Sequence, residues 1–203
     1  MKLESFRTLA WADFFLYSMI DPRALYRRIK QKEPDPFWIS FIVPASVSLS
    51  GILTISLMGR ESAFFYYKLS YGWIFVFLYT FLKTVIYASL IDVAAQFSGL
   101  KGNIREVISS VNFSMLPELF ILPAAYPFIV GDFIPLFFYV LFSLVCFVWH
   151  VLILVQAISE MHIIDFGKAF LIYIMPAVFT GIVFILMAVM FFINALGYFS
   201  SIM

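Results

Sequence analysis

Cysteine occurs once in this chain, at Cys146 inside an apolar run, so neither an intrachain disulfide nor a cysteine-rich metal site can form. Charge is scarce as well: 12% of the residues are Asp, Glu, Lys or Arg, and they sum to a formal +1. A dedicated nucleic-acid binder would show a basic excess on one face, so that class is excluded. There is no glycine-rich phosphate loop, no H-E-x-x-H, no G-x-S-x-G and no C-x-x-C. An intramembrane aspartyl protease would need two aspartates on facing spans, and only Asp92 falls within an apolar run. Neither an enzyme nor a bound cofactor is expected. Repeats, low-complexity tracts and linkers are also missing, which leaves one domain behind a short N-terminal segment.

Apolar side chains are what the sequence has in excess. They make up 64% of it, with 26 Phe and 11 Tyr, and the mean hydropathy is +1.01. That is more than a water-soluble core can enclose. Five long apolar stretches lie near residues 37–58, 72–97, 107–130, 133–158 and 169–196. Each reaches the roughly 20 helical residues needed to cross about 30 Å of hydrocarbon. The expected fold is an all-α membrane protein: five transmembrane helices over residues 37–203, preceded by a basic amphipathic cytoplasmic segment at 1–36.

That segment holds Lys2, Arg7, Arg23, Arg27, Arg28, Lys30 and Lys32. Its first apolar block, Trp11 to Ile20, is broken by Asp13, too short to span, and reads as retained rather than cleaved. Asp21 suits an N-cap and Pro22 the first helical position. The helix that follows sets Leu25, Tyr26 and Ile29 against the basic residues, and is expected to lie at the membrane surface with its aromatic face among headgroups. Arg23, Arg27, Arg28 and Lys30 are the candidate contacts with anionic lipid or a protein partner, at about 1 kcal/mol of lipid attraction per base. A plain topology anchor is the competing reading.

With the N-terminus inside, the seven basic residues of the head, Lys101, Arg105 and Lys168 fall on the cytoplasmic side, against Arg60 and Lys68 outside. The positive-inside rule therefore puts the N-terminus in the cytoplasm and, after five crossings, the C-terminus outside. Small residues cluster at Ala45, Ser46, Ser48, Ser50 and Gly51 in the first span, and at Ala177 and Gly181 in the fifth. Both faces are expected to meet a neighbouring helix, because close backbone approach favours association in lipid.

The intramembrane polar groups are Lys83, Asp92, Asn112, Ser114 and Glu118. A charge at a span's centre costs roughly 2.5–3.5 kcal/mol on insertion scales, so each should find a partner or a purpose. Lys83 is expected to snorkel or meet Glu118, and Asp92 to reach Lys101 or Arg105. In the third span Ser110, Ser114 and Glu118 repeat every four residues as one polar stripe, while Pro117, Pro123 and Pro127 break the backbone hydrogen bonding. Two outcomes stay open there: an interrupted helix lining a polar cavity, or a bundle merely shaped by proline. His150 stands one turn from Cys146, too few ligands for a zinc site, and reads as an interior histidine. His162 is expected to be solvated in the loop Ser159–Lys168.

Three stretches resemble the Yip domain family of polytopic membrane proteins. Asp35-Pro36-Phe37-Trp38-Ile39 is similar to that family's Asp-Leu-Tyr-Gly-Pro-Phe-Trp-Ile signature without its Leu-Tyr-Gly insert. Asn112-Phe113-Ser114-Met115-Leu116-Pro117 resembles its Gly-Tyr-Ser-x-x-Pro segment, and Trp149 with the later Phe166-Gly167-Lys168-Ala169 is similar to its prokaryotic branch. The resemblance implies a five-span trafficking-type or membrane-organising protein, in a prokaryotic plasma membrane. Eukaryotic members bind small GTPases and usually carry a longer cytoplasmic N-terminal region; the short head and altered signatures here argue against a GTPase partner. Two functions are therefore carried forward: a non-enzymatic scaffold or adaptor, and a transporter, channel or lipid-moving protein with a polar path through the third helix.

Overall fold

A computed structural model describes residues 11–31, 35–58, 71–131 and 136–202, all of it helices and the turns between them. Five helical stretches are long and apolar enough to cross a membrane: Pro36–Leu57, Trp73–Phe97, Ile104–Pro127, Phe137–His162 and Phe166–Asn194. Their boundaries differ from the sequence reading by a few residues, because polar residues such as Arg105 and Glu106 extend a span's helix beyond its apolar run.

Two short helices precede the spans, α1 (Ala12–Ile20) and α2 (Pro22–Gln31). Asp21 separates them, and its Oδ1 accepts the backbone N–H groups of Arg23 and Ala24, both at 3.1 Å. The cap satisfies donors that the first turn cannot, and Pro22 lacks one at its outset. The first span opens in the same way. Asp35 accepts the N–H of Phe37 at 3.1 Å, Pro36 starts α3 (Pro36–Ser40), and a turn at Phe41 leads into α4 (Ile42–Met58).

The third span sits at the centre of the bundle. Every residue from Val107 to Pro117 is buried, against the first, second and fourth spans and against α1 and α2. One core joins Ala88, Ile91 and Ala95 of the second span to Val107 and Val111 of the third, Leu154 and Ile158 of the fourth, and Ala169 and Ile172 of the fifth. A second core joins Phe14 of α1 and Leu25 and Ile29 of α2 to Val43, Phe113, Met115 and Leu116.

That second core corrects one expectation. Leu25, Tyr26 and Ile29 do not face headgroups; they are at most 4% exposed and pack on protein. An amphipathic helix beside a bundle buries its apolar face wherever the fit is tightest, and here a helix surface competes better than lipid. Ala177 and Gly181 meet no described helix of this same chain. Both are exposed, with nothing within 4 Å of where a Gly181 Cβ would lie.

Candidate functional site

Polar residues concentrate in three places, and each begins with a local signal in the sequence. The first is the end of the bundle where the first, third and fifth spans start and the second and fourth finish. Tyr26 donates its hydroxyl to Glu106 Oε2 at 2.7 Å, and Arg27 Nε lies 3.7 Å from Glu160 Oε1. These contacts hold α2 against the start of the third span and the end of the fourth. Burial, followed by the hydrogen bond and charge of Glu106 and the charge of Glu160, pushes the Tyr26 hydroxyl well above its ordinary pKa. The opposite face of α2 leaves Arg23, Arg27 and Lys30 exposed. Arg28 differs from them: it is half-buried and donates to Asp13 Oδ2 at 3.2 Å, tying α2 to α1.

At the same end, Arg105 donates to Asp35 Oδ2 at 2.6 Å while its guanidinium lies 4.9 Å from the centre of the Phe37 ring. Asp92 is expected near Lys101 or Arg105, but neither is its partner. Its Oδ1 accepts the backbone N–H of Asn103 at 2.7 Å and its Oδ2 the side-chain N–H of Gln96 at 2.8 Å. A carboxylate that caps a turn has its oxygens satisfied by short hydrogen bonds, with no basic side chain required. Gly102 makes room for it, since a Cβ there would lie 2.7 Å from Asp92 Oδ2. His162, expected in solvent, is half-buried instead, because the fourth span's helix continues to it; its Nε2 is buried without a hydrogen-bond partner.

The second place is the interruption of the third span. The helix stops at Ser114, a 3-10 turn covers Leu116–Phe120, and a new helix runs Ile121–Gly131. Pro117 has no N–H to continue the α-helical ladder, and the shorter i→i+3 pattern takes over, with Glu118 N–H donating to Met115 O at 2.9 Å. Side chains absorb the carbonyls this frees: Ser114 donates to Val111 O at 2.7 Å, and Ser18, from α1, to Phe113 O at 2.8 Å. The break also rotates Glu118 off the line of Ser110 and Ser114, so the polar stripe expected from a straight helix does not form. Ser110, Asn112 and Ser114 are fully buried while Glu118 is partly exposed.

Glu118 does not meet Lys83, as expected from the sequence; its Oε1 lies 3.0 Å from Nδ1 of His150, a close polar contact rather than an aligned hydrogen bond. Asn112 donates to Ser40 Oγ at 2.8 Å, joining the first and third spans. Two motif residues, Asn112 and Trp149, are thus held by residues that flank the other motif stretches. The stretch after Asp35-Pro36-Phe37-Trp38 holds Asn112, while Trp149 stacks on Phe120 with ring centres 6.4 Å apart and planes 3° from parallel. Trp38 itself is 70% exposed at the start of the first span.

The third place is Lys83, exposed on the second span and without an ion-pair or hydrogen-bond partner among the described residues. Among those residues no three His, Cys, Asp or Glu side chains converge as metal ligands. Sequence reasoning missed the Tyr26–Glu106, Arg105–Asp35 and Glu118–His150 pairs. Tyr26 and His150 were legible as polar tips on apolar faces, but nothing local names a partner 80 residues away.

Comparison with known proteins finds a match to the Yip1 domain over residues 16–196, which runs from α1 into the last turns of the fifth span. No curated protein and no solved structure matches the chain.

Proposed function

This chain belongs to the Yip1 domain family, and from that premise we propose that it is a non-enzymatic integral membrane adaptor. In this reading the basic face of α2 holds anionic lipid or a protein partner at the cytoplasmic surface of a prokaryotic plasma membrane, with the N-terminus inside and the C-terminus outside. One observation carries it: three of the four polar groups that a transport path would need, all but Lys83, already have partners within the chain. Glu118 is paired with His150, Asp92 caps the turn at Asn103, and Asn112 holds Ser40. The basic face is the reverse case, since its apolar side is anchored and its charges point outward. A rigid array of cations suits a recognition surface, because little side-chain and backbone freedom remains to be lost on binding.

The interrupted third span favours the transport reading, since broken helices mark the binding sites of many transporters. One experiment separates the two. Crosslinking in native membranes is carried out on the wild type and on the double variant Arg23→Glu, Lys30→Glu, which leaves the Arg27–Glu160 contact in place. The adaptor reading expects a defined protein captured by the wild type and lost from the variant, with thermal stability nearly unchanged. Equal capture by both would remove the basic face from the mechanism. Recovery of lipid alone would turn attention to liposome flux, with Glu118→Gln as the diagnostic variant.

A further inference from the structure

The basic face accounts for one end of the molecule, and Lys83 belongs to the other half. The second span runs from Trp73 to Phe97, so Lys83 stands ten residues after its start and fourteen before its end, about 15 and 21 Å along a helix. That is close to the middle of the bilayer. A lysine reaches about 6 Å, and helical side chains lean toward their own N-terminus, here toward Trp73. The ammonium still falls short of the headgroup level by roughly 9 Å.

The surroundings of Lys83 form an open fork. One turn further along the second span, Tyr87 donates its hydroxyl to Tyr173 O of the fifth span at 3.2 Å, and the two rings pack edge to face. The two spans are antiparallel, so Lys83 lies about level with Ala177, and Tyr79 about level with Gly181. There the fifth span leaves the bundle. Pro176 is its last buried residue, and every side chain from Ala177 to Asn194 is uncovered. Tyr79 is 67% exposed, one turn from Lys83 on the same face. The fork therefore presents a cation and a phenol on one wall and small residues on the other, and among the described residues no atom lies within 4 Å of where a Gly181 Cβ would stand.

Apolar surface of this kind asks only for lipid tails. Lys83 asks for more, because hydrocarbon cannot satisfy an ammonium and the phosphates lie too far out. A second copy of the chain offers no spare carboxylate at that depth among its described residues: Asp92 and Glu106 are hydrogen-bonded and Glu118 faces His150. We infer that the fork between the second and fifth spans is a docking site for a partner transmembrane helix that carries an Asp or Glu side chain near its middle. Lys83 pairs with that carboxylate, Tyr79 donates a hydrogen bond to it, and the small residues Ala177 and Gly181 let the partner's backbone come close. This rests on the adaptor reading, and it names the chemistry of the protein that the adaptor holds.

The test places a photocrosslinking side chain at Gly181 in the full chain, in native membranes, with a control crosslinker at Phe147 on the outer face of the fourth span. A polypeptide adduct is expected at Gly181 and not at Phe147. Its yield should fall about tenfold with Lys83→Met and hold with Lys83→Arg, a tenfold change corresponding to about 1.4 kcal/mol. Once the captured helix is sequenced, Lys83→Glu combined with a lysine in place of its carboxylate should restore the adduct. A lipid adduct alone, an adduct with a second copy, no adduct, or a polypeptide adduct indifferent to Lys83 each overturns the inference. Capture at the basic face that persists through any of these leaves the adaptor reading standing and removes only the transmembrane partner. Because Lys83 is exposed, Lys83→Met should melt no lower than the wild type, so loss of the adduct cannot be laid to misfolding.

Discussion

Tyr26 and Glu106 lie 80 residues apart in the chain and meet through a 2.7 Å hydrogen bond that fastens the N-terminal helices to the central span. The contact is part-buried, and Leu25 and Ile29 close over it on the same face of α2. What would otherwise be a loose basic arm becomes part of the folded bundle.

Tyr26→Phe removes the donor and leaves the Glu106 carboxylate partly buried without it. The head's attachment should weaken by about 1–3 kcal/mol, the usual cost of orphaning such a group. Glu106→Gln should cost less, since its carbonyl can still accept. Leu25→Ala should cost about 2–5 kcal/mol through the cavity it leaves. Limited proteolysis at Arg23 and Arg27 reports detachment in all three variants.

The same bond makes attachment pH-dependent at the alkaline end. Folding raises the Tyr26 pKa above its ordinary 10.0, so the docked state holds a proton that the undocked state releases. The contribution is complete below pH 10 and is lost as the pH rises from there toward the folded value. Trp11 fluorescence should therefore report undocking above pH 10, and Tyr26→Phe should abolish that part of the transition.

Glu118→Gln should lower the melting temperature rather than silence a flux, because Glu118 faces His150 across 3.0 Å. In a double-mutant cycle with His150→Ala, the two changes should be non-additive by about 0.5–3 kcal/mol. Full additivity would mean that the contact contributes nothing. A liposome flux lost in Glu118→Gln with an unchanged melting temperature would restore the transport reading.

Gly102→Ala pushes a methyl group against Asp92 Oδ2 and Gln96, and Asp92→Ala leaves the Asn103 N–H without its acceptor. Each should destabilise the turn between the second and third spans by about 1–3 kcal/mol. Asp92→Asn, which keeps an acceptor oxygen, should cost less. Thermal melts in detergent rank the three.

Arg28→Glu should behave unlike Arg23→Glu. Arg28 is half-buried against Asp13, and reversing it puts two carboxylates together between α1 and α2, whereas Arg23 is exposed on the outer face. The first change should release α1 to protease, and the second should leave the digestion pattern as it is.

The five spans and their order were legible in the sequence because each is set by neighbours in the chain, and the prolines of the third marked where a break could fall without deciding it. Hydrocarbon leaves backbone groups no partner but their own helix, so a long apolar run must be helical. Pro117 lacks the donor a helix needs, and Asp21-Pro22 and Asp35-Pro36 begin helices through atoms two or three residues away. Partners across the bundle were decided by tertiary structure alone. Whether Glu118 meets Lys83 or His150, whether Asp92 finds a cation or a turn, and whether Leu25 and Ile29 face lipid or protein depends on how helices rotate and cross. That is fixed by the packing of Phe14 on Phe113 and of Ala88, Ile91 and Ile172 within a shared core, contacts between residues far apart in the chain. A rotation of one residue, about 100°, would move every polar group to another face without altering any local signal.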